Sequence, residues 1–506
     1  MKYSPDGRLP FLRLGALTAA ALAIHGYHLG VEDAEIYIPA VRKLLHSDLY
    51  PFATEFFTAH QHLSVFAPML AATARLTHLS LDTTLFIWYL AGIYALLASS
   101  WIFVRVCFDS PVARWGAMLT LTSVLTMPAT NTGLLLVDPY LTARSLSTPL
   151  TLFALASFLE KRYTRVAIAV FLTAIIHPQM VSYLLFLTLV MWAGKHRSKQ
   201  AGHPVPALAS MLTVLPTGFQ LTPATGPYRE ALYSRDYFFL YNWEWYHWLG
   251  MLGPLAILAW FWKANLRGMT DAGRRISFAL IPFGLVSIVA AAILASSPQF
   301  DMFVRLQPLR TFHLITLVFV LLFGGVLSEY LAKGRPWLLG VIALPLAAGM
   351  FLVSSQTYPH SPQVEWPWAT STNPWVRTLM WIRQNTPRNA VFAVDAQYFK
   401  DSVVDSHGFR AISERAALAD QYKDSGVVSL FPALAGEWKQ MSTATTGLNH
   451  FSVDQFRNLH DEYPQVSWVV IHGTAPAGLN CPYVKDDFSV CHMPTAEPGA
   501  PSSAGL

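Results

Sequence analysis

The sequence predicts an all-α polytopic membrane bundle of about eleven transmembrane helices, followed by a soluble extracytoplasmic α/β domain. Three observations carry this. Of 506 residues, 53% are hydrophobic and only 13% charged, against about a quarter charged in an ordinary soluble domain. The long apolar runs are confined to residues 1–355, whereas 356–493 has the composition of a water-soluble protein. Lys and Arg gather in short clusters between the apolar runs, the pattern of cytoplasmic loops.

The elements follow in order. Lys2, Arg8 and Arg13 surround the start of an apolar stretch, 11–29, that has no small-residue cleavage site, so it reads as an uncleaved first span. Further candidate spans are 84–106, 113–128, 139–158, 166–176, 178–194, 204–218, 245–262, 275–296, 306–329 and 336–354. Five basic clusters separate them: Arg105 with Arg114; Lys161, Arg162 and Arg165; Lys195 to Lys199; Lys263 to Arg275; and Lys333 with Arg335. Placing all five in the cytoplasm puts the N-terminus inside and the C-terminal domain outside a bacterial-type inner membrane.

Residues 63–80 are apolar enough to cross, but crossing would turn every later basic cluster outward. They are therefore read as an amphipathic surface helix. The run 165–194 must leave and return within its own length, and His177-Pro178 at its middle breaks the helix, since proline disfavours helical geometry in the residue before it. His177 then sits at the tip of a helix pair, where non-helical backbone faces protein or a water-filled cavity.

With this topology, polar groups collect in the outer loops 30–83, 129–139, 219–244 and 297–305. Glu32 and Asp33 open the first, just before a stretch of helical spacing at 34–45. Asp138 ends the second, and Arg144 follows in the next apolar span. The third is rich in aromatic and charged residues from Tyr228 to Glu244. Arg305 and Arg310 follow Asp301 before the tenth span. Each has a structural alternative. Glu32 and Asp33 suit the N-terminus of the 34–45 helix. Asp138 and Arg144 suit a structural ion pair, because a charge in an apolar span is costly unless paired. His177 suits a hydrogen-bonded buried imidazole, the loop aromatics an interfacial belt, and Arg305 and Arg310 lipid headgroup anchors.

On these residues the layout resembles the GT-C superfamily of membrane glycosyltransferases. Those proteins share a first span, a long outer loop with an acidic residue and surface helices, and a second outer loop with another acidic residue. A bundle follows, often with an extracytoplasmic C-terminal domain. The matching positions are Glu32-Asp33, Asp138 and the helices at 34–45 and 63–80. The segment WVRTLMWIRQNTPRNAVFAVD, 375–395, looks like the start of the periplasmic domain of several bacterial members.

The resemblance implies transfer of a sugar from a polyprenyl-phosphate donor to a glycan, lipid or protein acceptor of the cell envelope. It implies Asp33 as first choice of base with Glu32 second, and Asp138 as a further catalytic acid group. Arg144, Arg305 and Arg310 would face the leaving phosphate, and His177 would hold the phosphate of the lipid carrier. A single displacement would invert the anomeric carbon. Neither loop holds a clear DxD, which leaves a divalent cation (magnesium or manganese) an open question. No other cofactor is implied.

In the C-terminal domain, helices are expected at 372–385, 414–423 and 452–461, and strands at 390–395, 467–472 and 488–492. It has no GxGxxG, P-loop or nucleophile elbow. The stretch SERAALAD (413–420), with Asp395 and Asp405, is either an acceptor-recognition surface or part of a packing domain. Cys481 and Cys491 are either a disulfide closing a hairpin or two unrelated thiols, and Cys107 is an inert thiol at a helix end. Residues 494–506 have a disordered composition. Lys/Arg runs interleaved with aromatics are absent from the sequence, which argues against nucleic-acid binding. Two other classes compete with the transferase: a transporter of lipid-linked substrates, which would carry inverted repeats and mid-membrane charges, and a non-catalytic assembly or sensing protein.

Overall fold

The computed structural model describes residues 9–197, 221 and 223–494. The chain is mostly helical and divides into two compact units. One comprises the chain up to Gly26, Ile87–Thr225 and Arg235–Ser354; the other comprises Tyr27–Phe86, Gly226–Ser234 and the chain from Ser355. The first long connection, 30–83, and residues 226–234 within the 219–244 connection thus belong to the same unit as the C-terminal domain. Sequence reading had assigned both to the bundle.

Ten of the eleven expected spans coincide with helices; the eleventh, 204–218, lies outside the described residues. Four helices among those described are long and apolar enough to cross a membrane: Leu81–Cys107, Asp271–Ala295, Pro308–Leu331 and Leu338–Thr357. A count of eleven is not supported, and the reason is length. Pro111–Ser123 has 13 residues and Tyr163–Ile176 has 14. At about 1.5 Å per residue they reach about 20 Å, short of a roughly 30 Å hydrocarbon core. Trp245–Lys263 is long enough, but its first turns carry Trp245, Tyr246, His247 and Trp248, which dilute its apolar character.

Within the first unit, small residues bring the Thr311–Leu331 helix close to Pro111–Ser123, as is common where apolar helices associate by van der Waals packing. A Cβ on Gly116 would lie 1.9 Å from Ser328 Oγ, and one on Gly324 would lie 2.5 Å from Thr120 Oγ1. His25, at the end of Phe11–His25, ties that helix to the last turn of Pro111–Ser123 and the chain just after it. Its Nδ1 is 2.9 Å from Thr126 Oγ1 and its Nε2 is 2.8 Å from the Thr122 carbonyl.

The second unit is built on a five-stranded sheet of β1 (Val391–Ala393), β2 (Ala416–Ala417), β3 (Val466–His472), β4 (Tyr483–Lys485) and β5 (Phe488–His492), in the order β2-β1-β3-β5-β4. β1 is parallel to β2 and β3, whereas β3–β5 and β5–β4 are antiparallel. The pairings Phe392–Trp468 and Val469–Cys491 set the register. The Pro374–Asn385 helix buries Trp375, Leu379 and Ile382. It starts as its sequence dictates, with Asn373 accepting from the Val376 N–H and Pro374 in the first turn.

One expectation for this unit needs correcting. The helix expected at 414–423 is absent. Glu414 takes a left-handed conformation (φ 56°) that ends Phe409–Ser413, Ala416–Ala417 pairs with β1, and the next helix is Lys423–Leu430. Helix-favouring Ala, Leu and Arg are overridden by the free edge of β1. The β4–β5 hairpin turns on Asp486 and Asp487, both with positive φ, a two-residue turn lacking the usual Asn-Gly signal. Cys481 and Cys491 form a disulfide, so the open choice between a bond and two thiols resolves to the bond. Most of the tail at 494–506 lies outside the described residues.

Candidate functional site

The expected site residues divide between the two units. Glu32 and Asp33 are in the second; Asp138, Arg144, His177, Arg305 and Arg310 are in the first.

In the first unit, Asp138 lies in the segment leading into Ala143–Leu159. Thr142 caps that helix by accepting from the Ser145 N–H, while Ser145 Oγ accepts from the Thr142 N–H. This fixes the first turn, and with it Arg144. The Arg144 guanidinium donates to Asp138 Oδ2 at 2.5 Å, and Thr142 Oγ1 donates to the same oxygen at 3.2 Å. Both partners are buried, so the expected ion pair is present. Beside it, with Tyr89 and Thr148 in its wall, is a cavity of about 10 Å³, room for about one water molecule.

His177 joins Tyr163–Ile176 to Pro178–Arg197 where Pro178 interrupts the helix, and its N–H still donates to the Thr173 carbonyl at 2.8 Å. Arg144, Arg310 and His313 are all near enough to act on it electrostatically. Arg310 reaches Gln179 Oε1 at 3.5 Å and lies 5.9 Å from the centre of the Tyr237 ring. His313 is fully buried, with Nε2 3.0 Å from the Leu136 carbonyl. His177 thus lies among two guanidiniums and a second imidazole, and one of those guanidiniums, Arg144, is paired with Asp138. Sequence reading missed His313; its signal was a lone imidazole in an otherwise apolar helix. Arg305 stands half-buried at the end of the short Asp301–Val304 turn.

In the second unit, Asp33 occupies the position before Ala34–Leu45 but does not cap it through its side chain. Instead Glu32 and Asp33 both face the ammonium of Lys423. Glu32 is in direct contact with it, and Asp33 Oδ1 is at 3.3 Å. Lys423 is 9% exposed at its side chain, Glu32 39% and Asp33 44%. Glu32 holds a left-handed backbone (φ 53°), and its N–H donates to the Ser406 carbonyl at 2.9 Å. A non-glycine residue kept in that conformation is found more often at functional sites than elsewhere.

Beneath this group lies a network that sequence reading missed. Glu35 is fully buried and accepts from Arg410 Nε (2.8 Å) and from the N–H groups of Arg410 (2.9 Å) and Ala411 (2.8 Å). Arg410 also reaches Asp424 (2.7 Å) and Asp420 (3.5 Å). Asp420 in turn accepts from the Lys423 N–H. Burial raises the Glu35 and Asp424 carboxyls, Asp424 to about 8, against the opposing pull of Arg410; Asp420 adds to the rise at Asp424. The legible signal was charge in apolar company, with Glu35 beside Ile36 and Arg410 between Phe409 and Ala411. Asp395 and Asp405 hold the fold instead: Asp395 accepts from the Gln397 N–H (2.8 Å), and Asp405 from the His360 N–H (2.9 Å) and Ser361 Oγ (2.7 Å).

Among the described residues no three His, Cys, Asp or Glu side chains group to hold an ion, and the Lys423 ammonium occupies the place between Glu32 and Asp33. Fold and site together define a membrane-type helical protein with an attached α/β unit. No protein-family model matches the chain, and no curated protein matches it significantly.

Proposed function

We propose that the chain is an integral membrane glycosyltransferase of GT-C type that moves a sugar from a polyprenyl-phosphate donor to an acceptor of the cell envelope. The observation that carries this reading is the grouping of Arg144, Arg310 and His313 about His177, with Asp138 paired to Arg144. Two guanidiniums brought together in a unit of apolar helices suit the phosphate of a lipid carrier, and a leaving phosphate gains most from cations already in place. Arg144 and Arg310 are assigned to that phosphate, with His177 beside them and Arg305 at the approach. Asp138 holds Arg144 in register. Asp33, nearly half exposed, is assigned as the base for the acceptor hydroxyl, with Glu32 second and Lys423 fixing both. No step is assigned to a metal.

The sidedness rests on the basic clusters, which put the N-terminus in the cytoplasm and the C-terminal unit outside an inner membrane. The Cys481–Cys491 disulfide supports it, since such bonds persist in oxidising compartments. The test is transfer by purified protein in nanodiscs from a polyprenyl-phosphate sugar, paired with mass spectrometry of envelope glycans with and without the gene. Asp33→Asn and Arg144→Ala are each expected to slow transfer about a hundredfold or more. Full activity in both variants overturns the assignment.

A further inference from the structure

The second unit contains a cleft of about 840 Å³, within the roughly 300–1,000 Å³ of small-molecule sites. Its chemistry differs from that of the cationic cluster. On one side Trp366 and Trp368 stack with ring centres 5.4 Å apart, 42% and 69% exposed. Phe86 meets both edge-on, at 5.4 and 6.1 Å. A second aromatic pair, Trp381 and Tyr483, lines the cleft with centres 4.9 Å apart.

Arg42, Asp82, Glu365, Arg377, Arg383 and Lys485 also line it, and most of these are paired with acidic or basic neighbours. Arg42 and Arg383 each contact both Asp82 and Glu414, with Arg42–Asp82 at 2.7 Å, Arg383–Asp82 at 3.2 Å and Arg383–Glu414 at 2.7 Å. Glu414 is not itself in the cleft wall, but with Asp82 it neutralises the two guanidiniums that are. Arg377, also on the cleft, pairs with Asp486 at 2.7 Å. Arg42 is 4% exposed, and its Nε has no hydrogen-bond partner among the described residues.

Flat indoles beside a charge-balanced set of fixed donors and acceptors match one ligand class. The apolar C–H faces of a pyranose lie on aromatic rings, while its hydroxyls both donate to carboxylates and accept from guanidiniums. An anion finds no excess positive charge in this paired set, and a purely apolar ligand would leave the paired groups desolvated without return. We propose that this cleft binds a neutral oligosaccharide. As a consequence that rests on the transferase reading above, it is where the glycan acceptor docks.

The experiment uses the full-length protein in nanodiscs on an array of neutral and acidic oligosaccharides, followed by calorimetry with cellohexaose, maltohexaose and a mannohexaose. Retention of a neutral glycan is expected. Trp368→Ala should weaken it about fivefold or more, and Trp368→Phe should weaken it less. Trp368 is largely exposed, so its replacement leaves the fold intact; unchanged melting of the variant verifies this. Binding to no neutral glycan, binding only to acidic ones, or binding unchanged in Trp368→Ala each overturns the proposal. So does strong quenching by brominated lipids that disappears in a Trp366→Phe, Trp368→Phe double variant, because the indoles would then lie in the bilayer. Array binding needs no donor sugar. Binding without transfer therefore removes the transferase reading alone, and transfer without binding removes the cleft alone.

Discussion

Arg410 Nε donates to Glu35 Oε1 at 2.8 Å, joining two fully buried residues 375 positions apart in the chain. The contact fastens the Ala34–Leu45 helix to the segment that precedes β2. A buried ion pair gains little over a well-packed apolar pair, but removing one partner strands the other charge.

Arg410→Met therefore leaves Glu35, Asp420 and Asp424 without their shared cation. It is expected to cost about 3–5 kcal/mol, read as a fall in melting temperature of the purified protein followed by intrinsic fluorescence. Glu35→Gln retains hydrogen bonds to the backbone and should cost less. Equal melting of wild type and Arg410→Met would show that the network contributes nothing.

Asp424 gives the stability a pH dependence of defined sign. Its carboxyl sits at about 8 in the folded protein, against an ordinary 3.8, chiefly through burial. A raised carboxyl means that the folded state holds a proton the unfolded state has released. The contribution is therefore fully present below about pH 4 and declines as pH rises through about 8. Melting measured from pH 5 to 9 should fall more steeply in wild type than in Asp424→Asn, which carries no titrating group there. Parallel profiles would place the proton elsewhere.

Gly116 and Gly324 set the approach of two helices in the first unit. With Ser328 Oγ 1.9 Å from the place a Gly116 Cβ would take, Gly116→Ala forces the helices apart at a cost of about 1–3 kcal/mol. Ser328→Gly opens the same space from the other side, so the double variant should recover most of the loss. A double-mutant cycle measures this, and additive losses would mean that the two positions do not meet.

The Cys481–Cys491 disulfide closes a segment of sequence separation 10 across the β4–β5 hairpin. A loop of that length gives about 2–3 kcal/mol on the chain-entropy estimate. Cys491 lies on β5, fully buried and paired with Val469, so Cys481→Ser is the milder probe. It should lower the melting temperature, and adding reductant to wild type should reproduce the shift. Mass spectrometry that found both thiols free in protein isolated without reductant would contradict the bond.

Much of the helical framework was legible because it depends on local patterns. The helix expected at 34–45 is Ala34–Leu45, and the one expected within 63–80 is Phe66–Thr77. The His177-Pro178 break falls between two helices as proline geometry requires. The strands at 391–393, 466–472 and 488–492 announced themselves as β-branched and aromatic runs. Ala416–Ala417 and Tyr483–Lys485 did not. Alanines favour helix, and a three-residue strand carries too few positions for alternation to show; only neighbouring strands made them sheet.

The candidate site shows the same division. Sequence alone determined that Asp138 and Arg144 lie close along the chain, that a charge in an apolar run needs a partner, and that the apolar helices are confined to residues 1–355. Only the tertiary structure decided that Lys423 meets Glu32 and Asp33, that Arg410 meets Glu35, and that residues 27–86 fold with the C-terminal unit. Periodicity and capping act over a few residues and leave their mark in the sequence. Ion pairs between segments hundreds of residues apart are chosen by burial, because a charge removed from water takes the partner that packing brings to it.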